Sequence, residues 1–536
     1  MRFKGILFLF LFTLPAFAAN VSLQVLEDFV RSHTETEESE VKVLQPGCGF
    51  GRMLDLRQHW RELSPGLQVK AQQLLQARSP SRQKQITSPG GHFIIHYDTS
   101  GYHAVPLEDI AGNGIPDYID SAAAILEHVW DVEINQLGFN PPPDINGLPV
   151  STYSVYFTRM SDYGITWLVD EIKLGERTVF TSYLELNTSY SDFYTKGLDG
   201  MRVTAAHEFN HAIQLGYNVW LTTNYDLYDR FLMEMTSTWM EDYVYNDIND
   251  YYQYLYFLFK YLDSYSFNSP FNLYPYANSL YLHMTCELYG PGFTVDVWKR
   301  IIKEKGMQAL ETVLNNLGET FAESENRYGV WLYFTGDRAI PGAYFPEAAD
   351  YPMLETVKKG TPFTTMLPGY GLNLFEIDIT NNRLYQGGVS AGSGKGRINH
   401  ILNGVPFKES VSFGKVQRLE YNANMQKPVA VISNASEQKA ESIHYDIQEV
   451  VMPPPTNPVI VYEQQGIPVF KAVPQNSEIR IYDILGRLVQ KLHNSSSNSI
   501  SWNLKSMAGN TVSSGLYLYF IDTGTQLVKG KFTVLR

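Results

Sequence analysis

The spacing of apolar residues changes partway along this chain. Up to about residue 360 they recur mainly every three to four positions, which predicts helices over 23–32, 54–63, 67–77, 118–137, 201–215, 230–243, 251–261, 293–317 and 322–334. Within that part, 92–98, 153–158 and 178–187 alternate with period two and predict strands. Beyond 360 the texture becomes short alternating runs, as at 372–379, 428–433, 478–489 and 502–519. The stretch Met452-Pro-Pro-Pro-Thr-Asn-Pro458 interrupts them as a stiff linker. The predicted class is multidomain α+β, helical first and β-rich afterwards.

Length agrees with this division, because 536 residues exceed what one hydrophobic core organises. Hydrophobic content of 44% with 18% charged residues describes a globular chain. A net charge of −14 excludes nucleic acid as the expected partner, since phosphate binding needs clustered Lys and Arg. The N-terminus combines Arg2 and Lys4, an apolar run over 6–14 and Ala16-Phe17-Ala18, and so predicts a signal peptide over 1–18. That run is too short to span a bilayer. An exported chain with only Cys48 and Cys286 leaves three readings: one disulfide, inert thiols, or a Cys48 thiolate capping a metal.

The chemistry centres on His207-Glu208-Phe209-Asn210-His211. No Gly or Pro interrupts 201–215, and residues four apart share a helix face, so His207 and His211 can address one metal ion. Glu208 lies one position round, within reach of a water at that metal. Catalytic zinc typically takes three protein ligands, and Glu234 is an acid in the apolar run Phe231-Leu-Met-Glu-Met235. This pattern, with Trp239-Met-Glu-Asp242 following, resembles the gluzincin metallopeptidases, and most of all bacterial secreted metalloproteases whose second helix reads M-E-x-x-x-x-W-M-E-D. The resemblance runs from about 90 to 290. It implies a mainly helical zincin-like catalytic domain with a small β-sheet, zinc held by His207, His211 and Glu234, and Glu208 as catalytic base. It also implies an oxyanion donor from a later helix, for which Tyr276 is the candidate against a plain core role. A strand beside the cleft would pair with substrate, and 181–186 is the candidate. One departure is Thr238, where better-known gluzincins carry an Asp that orients the first His. Glu241, two turns beyond Glu234, is the substitute partner for His207, or else part of a solvated helix end.

Asp109-Ile-Ala-Gly-Asn-Gly-Ile-Pro-Asp-Tyr-Ile-Asp120 partly fits a twelve-residue calcium loop. Asp109, Asn113, Ile115, Asp117 and Asp120 take ligand positions and Ala111 breaks the series. Calcium is thus a second candidate cofactor, the other reading being an Asx-rich turn before a helix. Residues 459–536 resemble flagellar hook-capping Ig-like modules and type IX sorting domains, which implies export or surface attachment. The expected organisation is a signal peptide (1–18), a propeptide-like region (19–88) that alternatively packs on the enzyme, a metallopeptidase domain (89–358), a β-sandwich (359–451), the linker (452–458) and an Ig-like sorting module (459–536). The expected function is that of a monomeric, secreted zinc endopeptidase acting on proteins or peptides. The rival is a surface adhesin or glycan- or protein-binding protein with a vestigial zinc site.

Overall fold

The computed structural model describes residues 23–34, 47–76, 79–222, 227–271, 273–379, 383–421, 425–437, 440–449, 460–462, 468–471, 473, 475–495, 499–522 and 527–535. The expected signal peptide and the Pro-rich linker lie outside them. The chain forms two compact units, one from residues up to 260 together with 268–317, the other from 261–267 together with 318–536.

The first unit opens with helices α1 (Leu23–Thr34), α2 (Gly49–His59) and α3 (Pro65–Gln76). Five strands follow: β1 (Lys84–Thr87), β2 (Phe93–Tyr97), β3 (Tyr153–Thr158), β4 (Gly164–Leu174) and β5 (Arg177–Asn187). They pair in the order β1-β2-β3-β5-β4. Parallel pairing of β2 with β3 requires a crossover, which α4 (Asp117–Trp130) belongs to. The expected helix over 118–137 ends in a π-helical turn, Asp131–Gln136, which buries Glu133. The stretch 181–186 was the expected cleft strand, but it lies in β5, paired on both sides by β3 and β4. The sheet's edges are β1 and, beyond β5, β4. A register shift between Leu168 and Glu171 breaks its alternation, and this hides it from a period-two reading.

Helix α5 (Gly197–Gln214) is buried at every residue from 203 to 214, and α6 (Arg230–Val244) is buried over most of its length. A helix buried all round is a core helix, yet α5 carries Thr204, His207, Glu208, Asn210, His211 and Gln214. Buried polar groups must find partners, so this helix has a reason beyond packing. Helices α7 (Tyr252–Tyr261), α8 (Tyr274–Ala277), α9 (Leu280–Tyr289), α10 (Gly292–Ile301) and α11 (Gly306–Asn316) complete the unit. The tyrosine stripe of α7 buries Tyr254, Leu255 and Leu258 as core.

In the second unit α12 (Phe321–Tyr333) starts with a capping box between Thr320 and Glu323. The unit's first β layers are β6 (Val357–Lys359), β7 (Phe363–Leu367), β8 (Gly371–Ile377), β9 (Arg383–Ser390), β10 (Arg397–Leu402), β11 (Val405–Pro406), β12 (Val411–Ser412), β13 (Val416–Tyr421), β14 (Val429–Asn434) and β15 (Glu441–Glu449). They form two sheets, β11-β10-β14-β8-β6 and β13-β9-β15-β7, around a core including Phe375, Ile398, Leu419, Ile432 and Tyr445. All six residues of β14 are buried. Its inward residues enter this core, while Val431 meets α12, where a Cβ on Gly329 would lie 2.6 Å from Val431 Cγ1. Helix α12 therefore belongs with this sheet, ahead of the boundary expected at 358/359. The C-terminal β domain consists of β16 (Ile460–Tyr462), β17 (Val469–Lys471), β18 (Glu478–Asp483), β19 (Leu488–His493), β20 (Ser499–Ser501), β21 (Gly515–Asp522) and β22 (Leu527–Leu535). Its core gathers Trp502, Tyr519 and Phe532.

Candidate metal centre

The i,i+4 spacing on α5 brings the two imidazoles to one point, their ring centroids 4.7 Å apart. From the adjacent α6, Glu234 Oε2 lies 3.5 Å from His207 Nε2 and 3.3 Å from His211 Nε2. The fourth group arrives from far upstream: Cys48 Sγ is 3.6 Å from His211 Nε2 and 3.7 Å from Glu234 Oε2. Cys48, His207, His211 and Glu234 form a buried group able to hold a metal ion, the one such group of three or more among the described residues. A tetrahedral zinc with bonds of about 2.1 Å to N or O and about 2.3 Å to S separates its ligand atoms by roughly 3.4–3.6 Å. The observed spacings match that figure.

The surroundings fix each imidazole. His207 Nδ1 donates to Glu241 Oε1 at 2.5 Å, which leaves Nε2 to face the metal position. His211 Nδ1 donates to Gln214 Oε1 at 2.9 Å and lies 3.2 Å from Ser237 Oγ. Gln214 Nε2 reaches Asn210 Oδ1, and Asn210 Nδ2 reaches Glu133 Oε2 on the π-helical turn. The Tyr276 ring stacks on His207 at 5.8 Å, with its hydroxyl 3.4 Å from Cys48 Sγ. Glu208 Oε2 accepts from Thr166 of edge strand β4 at 2.7 Å.

Electrostatics favour positive charge here. Burial would lower the basicity of both imidazoles, but Cys48, Glu234 and Glu241 hold His207 well above the usual range. Against the same burial, Glu234 and Cys48 raise His211 to about 10. Burial would raise Glu234, yet His211 and His207 hold it far below a normal carboxylate. Burial raises Glu208, with His207, His211 and Thr166 pulling the other way. His207 Nε2, Glu234 Oε1 and Glu208 Oε1 are buried without a hydrogen-bond partner among the described residues. Two imidazoles, a carboxylate and a thiol around such orphaned atoms suit zinc.

The site thus brings together His207, Glu208, His211, Glu234, Glu241 and Tyr276. The candidate calcium loop is separate and exposed. Asp109 accepts from the N–H groups of Asn113 and Gly114, Asp117 accepts from those of Ile110 and Ala111, and Asn113 Nδ2 donates to Asp120. Ile115 donates its own N–H to Asn113 Oδ1, completing a turn that leads into α4. Cys48 and Cys286 are both free, which removes the disulfide reading; Cys286 Sγ contacts Thr294 Oγ1 instead. Sequence reasoning missed Thr166, Asn210, Gln214, Ser237 and Glu133. Of these only Gln214, three residues past His211 on the same face, left a local signal.

A family profile described as a secretion system C-terminal sorting domain matches residues 451–535. The chain is accordingly a secreted protein, of a kind often attached to the cell surface. No curated protein matches it. Among solved structures it is similar to PorZ, a surface component of the type-IX secretion system of Porphyromonas gingivalis, at 18% identity over 18% of this chain and 14% of that one, with TM-score 0.14. It is similar to the adhesin domain of Epf from Streptococcus pyogenes at 12% identity, covering 32% and 73%, with TM-score 0.16. It is similar to an M1 zinc metallopeptidase from Deinococcus radiodurans at 17% identity, covering 50% and 53%, with TM-score 0.26. The chain thus spans a small part of PorZ and about half of the peptidase.

Proposed function

We propose that this chain is a secreted zinc-dependent endopeptidase, with His207, His211 and Glu234 as zinc ligands and Glu208 as general base. One observation carries the reading: Glu234 Oε2 lies 3.5 and 3.3 Å from the two imidazole Nε2 atoms, the spacing of ligands on one tetrahedral zinc, and the Oε1 of Glu208, unpartnered among the described residues, is one helix position away. Zinc bound there supplies Lewis acidity toward a scissile carbonyl and a water that is nucleophilic at neutral pH. Glu208 takes the proton of the attacking water at Oε1 and returns it to the leaving amine, while Thr166 holds Oε2 and so fixes the rotamer. The raised proton affinity that burial gives Glu208 suits a group that must accept and then donate. Glu241 keeps His207 in the tautomer whose Nε2 faces inward, and Gln214 does the same for His211. The Tyr276 hydroxyl is the donor for the developing oxyanion. Edge strand β4, beside Glu208, offers backbone groups to an extended peptide, which favours internal peptide bonds as substrate.

The test combines metal content by plasma mass spectrometry with casein cleavage, on the purified chain before and after limited proteolysis. One zinc per chain is expected, lost together with hydrolysis in His211→Ala. Glu208→Gln should keep the zinc and lose roughly 10²–10⁴-fold in rate. A native protein devoid of zinc under metal-retaining conditions, or undiminished hydrolysis in Glu208→Gln, overturns the proposal.

A further inference from the structure

A working catalytic zinc keeps its fourth position for water, and in this chain a sulfur lies there. We infer that Cys48 is the fourth ligand of the metal site and that residues 47–59 fill the substrate cleft as a built-in inhibitor. The inference rests on the metal reading proposed above.

Further observations support it besides the sulfur distances. The segment is seated in the cleft, since every residue from 47 to 54 is buried. Its backbone passes against the edge strand: a Cβ on Gly49 would lie 2.9 Å from Ile165 Cβ and 3.1 Å from Gly164 O. A Cβ on Gly51 would lie 2.6 Å from Arg230 Nη2, one turn before Glu234. At Gly49, where the neighbours are a Cβ and a backbone oxygen, only glycine permits the approach, and this lets Cys48 reach the metal position. Next, Phe50 stacks on His211 at 4.3 Å and 19°, covering the face of a ligand ring. Two ion pairs then clamp the segment: Arg52 with the buried Asp162, and Asp55 with Arg230. Finally, α1 extends the cover along β4, where Phe29 and His33 pack on Trp167. The cavity left beside Cys48, His207 and Glu208 holds about one water, far too little for a peptide.

Substrate and segment therefore compete for the same space, β4, Glu208 and the fourth metal position. Release follows from hydrolysis of a peptide bond in the basic connector ahead of β1, around Arg78-Ser-Pro-Ser81, after which a water replaces the sulfur. The sheet itself is untouched by such a cut, because β1 starts at Lys84.

The test uses the full chain with cobalt(II) in place of zinc. Native protein should show a near-ultraviolet thiolate-to-cobalt charge-transfer band that is absent in Cys48→Ser. Iodoacetamide should modify Cys48 only after metal removal by a chelator, read by peptide mass spectrometry with Cys286 as internal comparison. Casein cleavage by Cys48→Ser should exceed that of the untrimmed native chain at least roughly tenfold, as expected when a blocked population is freed. Phe50→Ala leaves every metal donor in place and should speed both alkylation of Cys48 and casein cleavage. Bound metal without the charge-transfer band, or a Cys48→Ser protein no more active than native while Phe50→Ala is also unchanged, overturns the inference and leaves the peptidase proposal standing. A Cys48→Ser chain that unfolds marks a closed structural site and likewise overturns it. Failure to bind metal at all removes the peptidase proposal instead, and this inference with it.

Discussion

At the scale of single residues, the site divides into groups that face the metal position and groups that hold those in place. Glu241 is of the second kind. Its contact with His207 Nδ1 sets the ring's tautomer, and the buried carboxyl is itself pushed up to about 8 by desolvation, with His207 opposing. Glu241→Gln should weaken zinc affinity by roughly 10–100-fold, the usual cost of losing such a partner, without unfolding the chain. Competition with a chromophoric chelator measures this; unchanged affinity would show that His207 needs no orienting partner. Thr166→Val removes the donor to Glu208 while preserving shape. It should lower kcat on casein with zinc content unchanged, and a loss of metal in that variant would contradict the assignment.

At the scale of elements, legibility in the sequence follows contact range. Helices α5 and α6 were readable because their chemistry repeats at helical spacing, His207 to His211 and Glu234 to Glu241. Thr166 was not, because its meeting with Glu208 depends on sheet order β3-β5-β4, and a bulge disguises β4 itself. Cys48 meets His211 across 163 positions, so its role could be stated in advance only as one of three options. The loop over 109–120 was legible as an Asx-rich turn, since its own N–H groups donate to Asp109 and Asp117. In the sandwich, periodicity found β8 and β14 as apolar strands but neither β10 nor the buried His400 that it carries. Its Nδ1 donates to Gln417 Oε1 at 2.7 Å and Nε2 accepts from Tyr445 at 3.0 Å. Burial lowers it to about 4, the Gln417 bond opposing, so the folded ring stays neutral below the pH at which the unfolded one binds a proton. That stability is complete above pH 6.5 and is lost as pH falls through 4, up to about 3 kcal/mol. The opening equilibrium over 397–402 and 429–434, taken from hydrogen exchange after division by the intrinsic amide rate at each pH, should rise as pH falls from 6.5 to 4, and His400→Gln should flatten that slope.

At the scale of the whole molecule, the C-terminal β domain has its own core around Trp502 and shares no residue with the metal centre. Its family match concerns export, while the proposed catalysis and its inhibition involve only residues of the first unit. The two properties should therefore separate. A chain ending at residue 450, expressed in a bacterium with a type IX system, should accumulate inside the outer membrane, while the full chain reaches the surface or medium. Purified, the shortened chain should bind one zinc and, once its N-terminal segment is removed, cleave casein at the rate of the full chain. This separation also gives the cysteine a physiological sense. On the proposed reading, a peptidase crossing the periplasm with Cys48 on its metal would harm nothing on the way, and a cut ahead of β1 after export would turn it on. Fractionation followed by mass spectrometry of the N-terminus decides the order: surface protein should begin after residue 76, and periplasmic protein should still contain Cys48. Surface protein that retains Cys48 and is active would separate export from activation and would leave the segment without an inhibitory role.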